Sequence, residues 1–190
     1  MEQLARLDSN PGLREQILPY CRLKTGEIWK DPVGGHQVAV GDAADADLLR
    51  RLFADAPIGL LLNDPPYNIR VGSRRTQALS RESVEAYLLF TRAWLEAVLP
   101  LLAENAHFYL WTGADQRAGF QPLPDIMLLL REFPELVSRS FITMRNQRGY
   151  GTQSNWMSVR QELLYYTRGR PGFKVVYTEI PKILKGYYKT

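Results

Sequence analysis

Cysteine is almost absent from this 190-residue chain. Cys21 stands alone, so no internal disulfide can form and a disulfide-stapled scaffold is excluded. Histidine is scarce too. His36 and His107 lie far apart and have no cysteines in metal-ligand spacing, so no metal site is expected. No apolar run approaches the roughly 18–20 residues that a spanning helix needs, so no membrane partner is expected. The stretch from Met1 to Gln16 carries charges throughout and lacks the apolar segment of a secretory signal; a reducing cytoplasmic location is the expectation. No repeat, low-complexity tract or Gly/Ser linker divides the chain.

What is present is a globular composition, 45% hydrophobic and 23% charged, in a chain of one-domain length. The net charge of +4 is unevenly distributed. From Arg139 to Thr190 there are ten Lys/Arg against only Glu162 and Glu179, which leaves 14 basic and 18 acidic groups in residues 1–138. Aromatics such as Tyr150, Trp156, Tyr165 and Tyr166 are interleaved with that positive charge. Basic side chains neutralise phosphates and aromatic faces stack on bases, so the combination fits nucleic acid; it equally fits a solvated basic surface over an aromatic strand.

Residues 1–25 read as a polar lead-in. Two apolar-leaning runs, Gly26–Trp29 and His36–Val40, flank Asp31-Pro32-Val33-Gly34-Gly35 and predict a hairpin. Asp45–Ala54 predicts a short helix. Ile58–Asn63 is a continuous apolar run bounded by prolines, the pattern of a strand buried on both faces in a parallel sheet. Ser80 is the expected N-cap of a helix through Val84, Leu88, Leu95 and Val98. Ala106–Trp111 predicts a second buried strand beside the first, Pro124 starts a helix over Asp125–Phe133, and Leu136–Met144 and Glu162–Thr167 predict further strands. This alternation implies an α/β sheet with crossover helices. His107, on a strand, reads as a satisfied core histidine rather than a base.

Chemistry concentrates where the first apolar strand ends, at Asn63-Asp64-Pro65-Pro66-Tyr67-Asn68. Open α/β sheets hold their ligands at the carboxyl ends of strands. Proline brings no N–H, so the Asp64 carboxylate and the Pro65 carbonyl present acceptors from a stiff loop beside the flat face of Tyr67. An acceptor pair next to a stacking platform suits a planar ligand with an exocyclic NH₂ group. The same residues also fit a Pro-Pro turn that merely caps a strand. Asn68, Arg70, Arg74 and Arg75 follow on a polar loop that reads equally as a phosphate contact or as ordinary solvated surface.

Asp64-Pro65-Pro66-Tyr67 resembles the DPPY motif of DNA amino-methyltransferases. Val40-Gly41-Asp42-Ala43 is similar to that family's GD segment near the cofactor adenosine. Arg145–Gly151 and Trp156–Thr167 resemble its later catalytic segments, and the order is similar to that of the permuted beta-class members. The resemblance implies a Rossmann-like methyltransferase sheet with crossover helices, S-adenosylmethionine as cofactor and DNA as partner. It implies adenine N6 as target, because the first motif position is aspartate. Residue by residue, it implies catalysis at Asp64, Pro65, Pro66 and Tyr67, cofactor contacts at Asp42, Ala43 and Asp64, and DNA contacts at Asn68, Arg70, Arg74, Arg75, Arg145 and Arg148.

One family part is missing: nowhere does the chain carry the FxGxG-type loop that binds the methionine portion of the cofactor, and Asp31–Gly35 reads better as a hairpin turn. The chain therefore reads as the front, incomplete part of such an enzyme. Residues 26–170 would be the catalytic region and 171–190 a basic C-terminal segment that begins a target-recognition or second-half region. The glycine-rich loop would come from a second chain or a C-terminal half. Two alternatives remain: a catalytically inactive nucleic-acid-binding module derived from a methyltransferase, and a methyltransferase acting on RNA or protein glutamine.

Overall fold

Turn chemistry at Asp31 sets the first pair of strands. A computed structural model describes residues 12, 15, 16, 23–54, 56–66, 83–112, 122–152 and 155–174. In it β1 (Ile28–Lys30) and β2 (Gln37–Ala39) form a two-stranded antiparallel sheet with Trp29 opposite Val38. The Asp31 carboxylate accepts from the N–H groups of Val33 and Gly34, and its carbonyl accepts from Gly35. Gly35 has a φ of +71°, which glycine adopts without strain. The expected hairpin is therefore present, and Asp31–Gly35 is its turn. Beyond β2, Asp45 caps α1 (Ala46–Leu52) by accepting from Asp47 and Leu48, and Leu48 is buried.

The main sheet has the order β3-β4-β6-β5, with β3 spanning Ile58–Asn63, β4 Leu102–Thr112, β5 Val137–Thr152 and β6 Asn155–Arg168. β3 and β4 are parallel neighbours, with Leu60 opposite His107 and Asn63 opposite Leu110, as expected of the two apolar runs. β6 lies between β4 and β5 and runs antiparallel to both, so the sheet is mixed. Helix α2 (Val84–Val98) connects β3 to β4, and α3 (Pro122–Leu130) lies between β4 and β5 in the chain. The fold class is α/β.

The start of α2 differs from expectation. Ser83, not Ser80, is the N-cap; its hydroxyl accepts from the Ala86 N–H, and Ser80 lies outside the described residues. Hydrogen bonds from the backbone and from Ser83 hold the Glu85 carboxyl below its ordinary pKa. A 3₁₀ turn over Leu99–Leu101, containing Pro100, ends the helix, and Arg168 reaches across from β6 to donate to the carbonyls of Leu99 and Leu102 at 3.2 and 2.9 Å. Helix α3 begins at Pro122 rather than after Pro124, because a first turn accommodates both prolines without losing a hydrogen bond.

Among the described residues, helices cover only one face of the sheet. Ala106, Phe108, Leu110 and Thr112 alternate along β4 as its buried side and, with Leu164 of β6, meet Leu95 of α2 and Leu130 of α3. Each fully buried side chain of that size contributes about 1.5–3 kcal/mol. Leu60 and Leu62, 60% and 62% exposed, point the other way with His107, Tyr109 and Trp111. This overturns the expectation that Ile58–Asn63 is buried on both faces. Among the described residues β3 is the edge strand, and its alternate residues face away from the helices. Likewise β4 is buried on one face and not both.

The end of the chain also departs from the short strands expected. β5 and β6 form one long hairpin that extends from Val137–Thr167 pairing to Thr152 opposite Asn155. Thr112, the last residue of β4, pairs with Glu162, which in turn faces Thr143. The hairpin from Met144 to Gln161 therefore projects past the carboxyl end of β4 as a two-stranded arm.

Candidate functional site

The carboxyl edge of the sheet carries Asp64, Pro65 and Pro66. Asp64 leaves β3 at that edge, exposed, followed by half-buried Pro65 and exposed Pro66. Between the Asp64 N–H and the end of Pro66 the backbone has no donor, because both following nitrogens belong to proline rings. The segment is an acceptor-only surface: one carboxylate and a row of carbonyls.

Two side chains anchor it. On the strand side, the Asn63 amide donates to the Tyr109 carbonyl at 3.1 Å and reinforces the β3–β4 pairing at its last register pair. On the helix side, the Tyr87 hydroxyl donates to the Pro66 carbonyl at 2.8 Å. Tyr87 sits in the first turn of α2, 5% exposed, and burial pushes its phenol pKa up to about 12. It is therefore a protonated donor throughout the neutral range. Sequence reasoning assigned the apolar face of this helix to aliphatic residues and missed Tyr87. The signal was the buried row Tyr87, Thr91, Trp94, Leu95 and Val98 at helical spacing, with a hydroxyl aimed back toward the preceding strand.

The other predicted residues fall into three groups. Asp42 and Ala43 stand in the turn ahead of α1, where the Asp42 carboxylate accepts from the Ala44 N–H at 2.9 Å and the Asp42 carbonyl accepts from Asp45. Tyr67, Asn68, Arg70, Arg74 and Arg75 lie outside the described residues. Arg145 and Arg148 lie on the projecting hairpin, where the register shifts between Arg145 and Tyr150; their side chains are outside the description. Topology thus brings Asp64 and the Arg145–Arg148 arm to one edge of one sheet.

Not all of the basic C-terminal part is free for a ligand. Arg168 holds the end of α2, and the Arg139 guanidinium donates from Nε to the Thr167 hydroxyl at 2.9 Å. His107 is satisfied, as expected, although on the open face of the sheet. The Gly172 carbonyl, 3.1 Å from Nε2, can only accept, so Nε2 carries the proton and Nδ1 accepts from the Tyr165 hydroxyl at 2.9 Å. Glu162 is buried at the carboxyl edge; its carboxylate accepts from the Thr143 hydroxyl and its carbonyl from Thr112. A cavity of about 500 Å³ on the open face is lined by Tyr109, Arg139, Ile142, Tyr165 and Phe173. Asp64 does not line it, so volume and acceptor chemistry point to different places.

No family model matches the chain, and no curated protein matches it. Among solved structures it is similar to M1.HpyAVI, at 13% identity and a TM-score of 0.49, over 75% of this chain and 62% of that one. It is also similar to the M1.HpyAVI–SAM complex, at 14% identity and a TM-score of 0.46, over 75% of this chain and 58% of that one. The chain spans less than two thirds of the length of either. No helix among the described residues is long and apolar enough to cross a membrane.

Proposed function

We propose that this chain is the base-handling part of an S-adenosylmethionine-dependent DNA amino-methyltransferase whose target is N6 of adenine. The observation that carries the reading is the acceptor-only turn Asp64–Pro66 at the carboxyl end of a parallel strand. Its projecting basic neighbour, the Arg145–Arg148 arm at the same edge, supports DNA as the partner.

An adenine amino group inside a duplex is paired and stacked, so the base must first leave the helix. The Asp64 carboxylate accepts a hydrogen bond from one N6–H and the Pro65 carbonyl accepts one from the other. Held this way, the nitrogen is drawn from planar toward tetrahedral geometry, which frees its lone pair. The carboxylate would stabilise the positive charge that grows on nitrogen as it takes the methyl group, the electron pair of the broken methyl–sulfur bond staying with sulfur, and one N6 proton would then leave to solvent. Tyr67 stacks on the extruded ring, an interaction worth on the order of 1–3 kcal/mol. Asn68, Arg70, Arg74 and Arg75 contact the displaced backbone.

When bound, S-adenosylmethionine supplies an electrophilic methyl group on its sulfonium. The residues present fit part of it: Asp42 and Ala43 would hold the adenosine end, and Asp64 would border the methyl. The charged methionine end needs the backbone donors of a glycine-rich loop that these 190 residues do not contain. We assign that loop to a second chain or a C-terminal half. A buried ammonium and carboxylate without partners cost at least a few kcal/mol, and each 1.4 kcal/mol is tenfold in affinity. Calorimetric titration of S-adenosylmethionine into the 190 residues should accordingly give no micromolar binding; such binding would mean the cofactor site is assigned wrongly. With the completing part added, Asp64→Ala should abolish methyl transfer to DNA while DNA affinity is retained. Intact methylation in that variant would sink the reading. DNA binding with no transfer under any condition would leave the inactive binding module in its place.

A further inference from the structure

We propose that Tyr87 is a positioning residue for base recognition: by holding the Pro66 carbonyl it sets the angle at which the Asp64 carboxylate and the Pro65 carbonyl meet an amino group. This rests on the reading of Asp64–Pro66 as the amine-binding turn.

The argument is geometric. Prolines fix φ at residues 65 and 66, and Asp64 and Pro65 each precede a proline that confines ψ to the extended range, so the segment is a stiff unit whose tilt is set by what holds its two ends. The turn needs an external hold on its far side. Asn63 anchors the near side, at the end of β3, through the Tyr109 carbonyl. Tyr87 supplies the far side through a 2.8 Å hydrogen bond across 21 residues of sequence. The donor is itself rigid. Its ring is buried at 5% exposure and packs near Phe90, with centroids 6.2 Å apart, and its helix is capped one turn away by Ser83. Tyr87 never touches the base. It acts through Pro66, and amine recognition depends on direction because hydrogen bonds weaken steeply off axis.

The test uses the 190-residue chain and needs no methyl transfer. A duplex carrying adenine opposite an abasic site presents a base that leaves the stack easily. An otherwise identical duplex carrying purine there lacks only the exocyclic NH₂ group. Fluorescence anisotropy at low salt should show a preference for adenine of about tenfold, the size expected of a charge-assisted hydrogen bond. Asp64→Ala should erase that preference, and Tyr87→Phe, which keeps the ring, should cut it to about threefold or less by misaligning the same bonds.

Trp94→Phe is the control for a merely structural effect. Trp94 is buried on the same helix, and its indole N–H has no hydrogen-bond partner among the described residues. This variant should lose thermal stability yet keep the full preference. Wild-type preference with unchanged Tyr87→Phe preference would overturn the positioning role and leave the turn's role intact. Absence of any preference in the wild type, or its survival in Asp64→Ala, would overturn the turn's role and this proposal with it.

Discussion

Tyr109 and Tyr165 stand opposite each other on β4 and β6 with ring centroids 4.6 Å apart and planes only 11° from parallel. His107 stacks beside both, and Phe173 tilts against Tyr165. Such a pair adds about 0.5–1.5 kcal/mol beyond the area it buries. It stiffens the β4–β6 seam on the face that carries no helix among the described residues. Desolvation, with the neighbouring Tyr165, raises the Tyr109 phenol above its ordinary pKa. The backbone carbonyl of Tyr109 takes the Asn63 amide, so this stiffened strand is also what the candidate turn hangs from.

Asn63→Ala should therefore loosen the turn more than it destabilises the fold. Losing one half-buried hydrogen bond costs about 0.5–1.5 kcal/mol. Hydrogen exchange should quicken at the end of β3 while protection in β4 and β6 is unchanged. Uniform loss of protection across the sheet would contradict a local anchoring role.

Gly169→Ala should be far more damaging than a surface substitution normally is. Gly169 has a φ of +60°, and a Cβ there would lie 2.3 Å from the Glu104 carbonyl oxygen and 2.6 Å from the Asn105 side-chain oxygen. Left-handed strain plus that backbone collision predicts a loss of at least about 2 kcal/mol. For a chain of this length the melting temperature should fall by about 5 °C or more. An unchanged melting curve would mean that the turn after β6 is not formed this way.

Tyr87 should make the protein sensitive to alkali. Below its ordinary pKa of 10.0 the phenol is protonated in both folded and unfolded chains, and its burial contributes fully. As pH rises from there toward about 12, the unfolded chain releases the proton while the folded chain keeps it. The folded state then binds more protons, so stability falls with pH across that window. Urea midpoints at about pH 9 and about pH 11 should differ less in Tyr87→Phe than in the wild type, because the variant has no proton to release there.

Replacing Arg145 and Arg148 together by alanine should weaken binding to all DNA sequences alike. Each phosphate contact contributes roughly 0.9 to the slope of log affinity against log salt, so the slope should drop by about two. An unchanged slope would remove the projecting arm from the DNA interface.

Much of the frame is legible from residue order alone, and for local reasons. Asp31–Gly35 can only be a turn, Asp45 can only start a helix well, and two short apolar runs separated by a helix pattern can pair in parallel. What is not legible depends on neighbours. Ile58–Asn63 looks fully buried because an apolar run does not say how many of its sides are covered. The β5–β6 arm was hidden by its own composition, since arginines and glycines at residues 145–151 interrupt the alternation that marks a strand. Of the candidate site, Asp64–Pro66 was readable because proline chemistry is local. Tyr87 was not, because its partner lies on another element.

The placement of β6 also governs when the sheet can exist at all. β4 receives its second neighbour only from residues 162–168, after α3 and all of β5 have been made. Pairing across so long a stretch must overcome loop-closure entropy before it gains any contact, which puts the domain toward the slow-folding end for its size. On the ribosome, Phe108 and Leu110 emerge well before Leu164 and wait with one edge of their strand open. During that interval the nascent chain is at its most adhesive, and it is the arrival of the last described strand, not the first, that ends the exposure.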